Sequence, residues 1–202
     1  MKRHIKRIAL VLILVMGVGL WGLLTDSQAL CDGILRLHVV GASDSAEDQA
    51  VKLQVRDAVL GSLEAGLQDL TDLDGAIAYV RQMLPQVEEA ANRALAAAGV
   101  DMTAVASLAQ EAFPAREYDT FSLPAGVYSA LRIVIGEGEG KNWWCVVFPG
   151  LCVGEREEFV ETAAIAGMSE RLTGTLQGEY EIRFWLLDRI GEWKNSLFAS
   201  SD

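Results

Sequence analysis

Histidine, cysteine and proline are scarce in this chain, with two, three and four residues among 202. His4 precedes the first apolar run, so His38 is the sole histidine beyond it, and no Cys or His stands near it at metal-ligand spacing. That excludes a zinc centre. The Gly-x-Ser-x-Gly, HExxH and Asp-Ser/Thr-Gly signatures are missing too, which removes the usual hydrolase classes. No motif calls for a cofactor. Positive charge is also short: seventeen Lys and Arg face twenty-eight Asp and Glu, a formal net charge of −11. Such a chain is repelled by nucleic acid and by anionic lipid surfaces. Low-complexity tracts and internal repeats are absent, leaving one domain behind a leader as the expected organisation.

What is present begins with the one long apolar run. Lys2, Arg3, Lys6 and Arg7 stand ahead of seventeen uncharged residues, Ile8 to Leu24. This is the pattern of an export leader, and the basic cluster stays on the cytoplasmic side. Its length falls between a signal-peptide core and a comfortable membrane span, so it reads as a signal peptide or membrane anchor. Ser27-Gln28-Ala29 offers small residues where signal peptidase wants them, placing the expected boundary after Ala29. Residues 1–29 are then the leader and residues 30–202 the exported domain. Losing the leader removes four basic residues and Asp26, which takes the formal charge from −11 to −14. Leu30 before Cys31 does not suit a lipobox, so Cys31 is expected as a free thiol.

Within the body, Ile34 to Val40 reads as a half-buried strand with Arg36 and His38 on one face. Ser43-Asp44-Ser45 followed by Asp48 has the spacing of a capping box, from which a helix carries Val51, Val55, Val59 and Leu63 as one stripe. Asp48, Lys52 and Arg56 occupy another face of it. A second helix after Asp72 and Asp74 has a seam of Ile77, Val80, Leu84, Val87, Ala91, Ala94 and Ala98, with Pro85 expected to kink or split it. From Val100 to Leu108 the period becomes two. Val127–Ile135 and Trp143–Phe148 are stronger strands, joined by Gly136 to Asn142 in what reads as a glycine-rich hairpin. Glu155 to Leu172 is weakly patterned, Tyr180 to Phe184 suits a short strand, and Leu186, Leu187, Ile190, Trp193 and Leu197 suit an amphipathic terminal helix. The expected fold is α+β, a single domain with helices on one face of a mainly antiparallel sheet.

The spacing Gly136-x-Gly-x-Gly140 does not make a phosphate loop, because Glu137 and Glu139 fill it and no helix follows. Asp44 with Asp48 is a candidate acid–base pair, although a helix start already gives both a structural task. Trp143 and Trp144 must point to opposite faces of a strand, so a one-sided core holds at most one. The other faces solvent, a covering segment or a partner. Cys145 and Cys152, with six residues between them, are either bridged or two buried thiols.

Two blocks resemble the stage II sporulation protein R family of endospore-forming bacteria. The first runs from Leu35 to Asp57 through Ser43-Asp44-Ser45, Glu47-Asp48-Gln49, Lys52, Val55 and Arg56. The second holds Phe113-Pro114, Leu123 to Arg132, Ile135-Gly136 and Asn142-Trp143-Trp144-Cys145-Val146-Val147-Phe148-Pro149, ending at Leu151-Cys152. Gly150 departs from the family, which usually continues there with a second proline, and Gly154 to Gly178 carries no resemblance. The resemblance implies a signal exported across the forespore membrane into the space between forespore and mother cell. Its implied partner is a membrane-embedded aspartic protease that processes the sigma-E precursor, with no catalysis by the signal itself. Asp44, Asp48, Arg56, Arg132, Asn142, Trp143 and Trp144 are the expected partner contacts, and contact with membrane is expected through the leader alone. The alternatives are an extracytoplasmic enzyme, for instance a cell-wall hydrolase, which needs a concave carboxylate cluster, and a tethered scaffold, which needs an uncut leader.

Overall fold

The computed structural model describes residues 2–118, 122–150, 152, 189, 191–193, 195 and 196. Helix α1 (Lys2–Gly33) leads into strand β1 (Leu35–Val40), then helices α2 (Ala46–Leu67) and α3 (Leu73–Ala97). Strands β2 (Ala104–Phe113), β3 (Arg116–Glu117), β4 (Ser122–Leu123), β5 (Gly126–Ile135) and β6 (Asn142–Phe148) follow. The main sheet has the order β2-β5-β1-β6, and β3 pairs with β4 as a separate ribbon. β1 lies parallel to β5 and antiparallel to β6, while β2 is antiparallel to β5. The fold is therefore α+β with a mainly antiparallel sheet.

The two central helices form for the reasons their sequences advertise. Ser45 caps α2 by accepting from the Asp48 amide at 3.1 Å, and Asp72 caps α3 by accepting from the Gly75 amide at 2.8 Å. Val51, Val55, Val59 and Leu63 face Val80, Val87, Ala91 and Leu95 above Leu37, Val39, Leu131, Ile133 and Val147 of the sheet. This layer is the principal core. Removing the α2 cap in Ser45→Ala is expected to lower stability by about 1 kcal/mol in a urea titration.

Three expectations need correction. Strands β5 and β6 do not form a hairpin, because β1 lies between them. The connection 136–141 instead crosses the end of β1 and bonds to the turn after it, with the Gly140 amide donating to Gly41 O at 2.8 Å and the Glu139 amide to Ala42 O at 3.3 Å. Pro85 does not split α3, which continues through it with Arg81, Gln82 and Pro85 all exposed. Water can take up the carbonyl that the missing N–H leaves free. β1 is buried on both faces rather than one. A second cluster covers its far side, built from Leu30, Cys31, Ile34, Phe113, Leu123, Tyr128, Ala130 and Val146.

Burial begins at Leu30, which is wholly enclosed, whereas Gln28 and Ala29 before it are exposed. Upstream, Ile8, Leu10 to Met16, Val18 and Trp21 are 57–73% exposed on α1. Among the described residues no helix is long and apolar enough to cross a membrane. The uncharged run rises about 26 Å against a hydrocarbon core of about 30 Å. The readings for Glu155 to Leu172 and Tyr180 to Phe184 lie outside the described residues, as do Leu186, Leu187, Ile190 and Leu197. Trp193, expected on an apolar helix face, is in a helical stretch but exposed. Among the described residues, Asn195 and Gly191 make contact there: the Asn195 amide donates to Phe113 O at 2.9 Å, and a Cβ on Gly191 would overlap Ala125.

Candidate functional site

The crossing connection gathers polar side chains where β1 ends and β6 begins. Asp44 Oδ1 accepts from the Lys141 amide at 2.7 Å, so the turn before α2 and the β5–β6 connection are tied together. Lys52, buried on α2, donates to Lys141 O at 2.9 Å and to Gln49 Oε1 at 2.6 Å. Burial pushes the Lys52 ammonium below its usual pKa, against the upward pull of Asp44 and together with the repulsion of Lys141. Asp48 does not complete a capping box. It accepts from Ser43 Oγ, and Ser43 Oγ in turn accepts from the Ser45 amide at 3.1 Å.

Trp143 and Trp144 take opposite faces, and each is half-buried with an arginine stacked on it. On the helix face the Arg56 guanidinium lies 4.5 Å from the Trp143 ring centre, while Arg56 also pairs with Asp57 at 2.7 Å. Trp143 Nε1 is buried without an acceptor. On the far face Arg116 lies 4.1 Å above Trp144, whose other neighbours are the rings of His38 and Phe113. The expected one-sided core is in fact two-sided, which is why neither indole is left bare.

His38 links three strands. Glu111 Oε1 of β2 accepts from Nδ1 at 2.8 Å, and Nε2 faces Asn142 Oδ1 of β6 at 2.9 Å. Arg132 of β5 approaches the same Glu111 oxygen at 3.8 Å. Two strand positions away Arg36 is fully buried, donates to Tyr118 OH at 2.6 Å, and lies 4.1 Å from Phe113 and 5.0 Å from Tyr128. Its Nε and Nη1 have no hydrogen-bond partner.

The seven expected contact residues thus fall into two groups. Asp44, Asp48, Arg56 and Trp143 lie on the helix side, and Arg132, Asn142 and Trp144 on the other, joined through β6. Sequence reasoning missed Arg36, Glu111, Arg116 and Lys141 as members of this network. For Arg36 and His38 the signal was available: two polar residues spaced by two in a strand that proves to be covered. Glu111 and Arg116 gave none, because their partners are far away along the chain. Asp44 and Asp48 are engaged with Lys141 and Ser43 rather than with each other. Among the described residues no group of His, Cys, Asp and Glu is arranged to hold a metal ion.

Cys145 and Cys152 are bonded, closing a loop with a sequence separation of seven. Gly150 within it has φ +81°, a value that a proline in its place could not take. Replacing both cysteines by Ala is expected to lower stability by about 2–3 kcal/mol, read as a shift in the denaturation midpoint under oxidising conditions. Cys31 is buried and takes no part in a disulfide.

The fold and its contact network define an α+β domain of mutually braced loops and capped aromatic rings. The chain belongs to the stage II sporulation protein R family, whose family model matches residues 31–158. It is 35% identical over 121 residues to stage II sporulation protein R of Bacillus subtilis (strain 168), covering 60% of this chain and 54% of that protein. The chain therefore matches about half the length of that curated relative, which is named for sporulation and not as an enzyme. No solved structure matches the chain.

Proposed function

We propose that this chain is an exported signal of endospore formation that switches on a membrane-embedded aspartic protease, which then processes the sigma-E precursor. Family membership over residues 31–158 carries the reading. The site adds physical support: its polar residues brace one another, and its aromatic rings sit half-open at a sheet edge, as contact surfaces do. A signal of this kind works by binding the active state of its receptor more tightly than the inactive one. The basic cluster ahead of the apolar run supports export in this reading, and the change from exposed Ala29 to buried Leu30 is consistent with a leader that ends there.

The test is co-expression of the receptor protease and the sigma-E precursor in a non-sporulating host, with and without the chain. Precursor cleavage on a blot should require the chain. Trp143→Ala and Trp144→Ala chains that still fold should need about tenfold more protein for the same cleavage. Cleavage that is independent of an exported, folded chain would overturn the activator reading.

A further inference from the structure

We propose that the outer edge of β6 is a docking edge for an extended acidic segment of a partner protein, which adds a strand there and sets one carboxylate against Arg56 and the next against Arg116. The proposal deepens the reading above, since it assumes that the chain acts by contact.

Among the described residues the sheet has two end strands, β2 and β6. β2 is held by side chains at its two ends. Asn92 bonds both the amide and the carbonyl of Ala104, Glu88 accepts from the Ala106 amide, and Asn195 donates to Phe113 O. β6 is different. Lys141 O accepts from the Gly41 amide on the β1 side, whereas Val146 O accepts from the Cys152 amide on the outer side. Backbone groups alternate in direction along an antiparallel strand, so the N–H and C=O of Asn142 and Trp144 point outward with those of Val146. Among the described residues neither Asn142 nor Trp144 has a backbone partner on that side. An edge in this state is a template for another strand.

The flanking side chains specify what that strand carries. Trp143 and Trp144 send their rings to opposite faces, each with a guanidinium stacked upon it. An arginine held flat on an aromatic ring still presents its N–H fork to a carboxylate. Consecutive residues of an added strand also alternate between faces, so two adjacent acids send one carboxylate to each arginine. Asp57 already occupies Nε and Nη2 of Arg56, while Arg116 is exposed and forms no ion pair among the described residues. Arg116 therefore carries the larger share of the preference. The chain's net charge of −11 repels such a segment over most of the remaining surface.

The test uses the full chain and two synthetic nonapeptides of Val and Thr, one with a central Glu-Glu pair and one with Gln-Gln. Backbone amide exchange is followed by NMR. The Glu peptide should slow exchange at the Trp144 amide about tenfold and leave the Leu108 and Gln110 amides unchanged. It should bind about fivefold more tightly than the Gln peptide, and Arg116→Gln should erase most of that difference. Absence of slowing at Trp144, slowing at β2 instead, equal affinity for the two peptides, or a preference that survives Arg56→Gln with Arg116→Gln each overturn the proposal. No protease is present in this assay, so its failure leaves the activator reading intact. Loss of precursor cleavage in the co-expression test leaves the edge intact in turn.

Discussion

Arg36→Ala is expected to lower stability by about 3–5 kcal/mol, whereas Arg36→Met stays within about 1 kcal/mol of the parent chain. Arg36 is fully buried beside Phe113, Tyr128 and Tyr118, with two guanidinium nitrogens, Nε and Nη1, unbonded. Truncation to Ala opens a large cavity among these rings and strips the Tyr118 hydroxyl of its donor. Met fills much of the same volume and leaves no charge to desolvate. Two ring contacts and one hydrogen bond favour the guanidinium by a few kcal/mol, about what its desolvation costs, so the terms nearly cancel. Urea denaturation of the two variants decides the matter. An Arg36→Met chain as unstable as Arg36→Ala would show that the cation itself holds the far cluster together.

Gly140→Ala should be nearly as damaging, at about 2–4 kcal/mol, with the loss concentrated at the crossing connection. A Cβ there would lie 2.3 Å from Ser43 O and 2.8 Å from Gly41 O, both backbone atoms that cannot swing aside. The connection must lift, breaking the Gly140–Gly41 hydrogen bond and the Asp44–Lys141 tie beside it. Gly61→Ala is the contrasting control. Gly61 lies inside α2 with open space around it, and the change should stabilise by about 0.5–1 kcal/mol through helix propensity. Midpoints from chemical denaturation, followed by tryptophan emission, separate the two. Equal effects at the two glycines would refute the close approach at Gly140.

The helices were legible because their information is local. Ser45, Asp72 and the stripes of α2 and α3 act over about one to six turns, and the structure places them as read. The order of the sheet was not legible. Leu37 pairs with Leu131 and Cys145, and no spacing in the sequence announces partners about a hundred residues away. The glycines at 136, 138 and 140 therefore suggested a hairpin, although they serve a crossing. Gly136 and Gly138 take positive φ, and Gly140 permits contact with the turn after β1. Arg36 and His38 misled in the same way, since polar residues in a strand normally mark a wet face. Here the last turn of α1 and residues from β2, β4, β5 and β6 supply a cover that β1 itself does not encode. In the candidate site, Trp143, Trp144 and Arg56 stood out by residue type, whereas Arg116 and Glu111 became visible only once the strands were in place.

The position of β1 has a consequence for the timing of folding. The first strand to leave the ribosome lies in the middle of the sheet, and its two neighbours end at Ile135 and Phe148. Native pairing on both sides must wait until about three quarters of the chain has been made, and non-local strand pairing is slow once it starts. Throughout that interval α1 is already made while the sheet behind it is still open. For the export proposed above, late closure of the sheet is the favourable order, because an unclosed chain is the form that a narrow channel can pass.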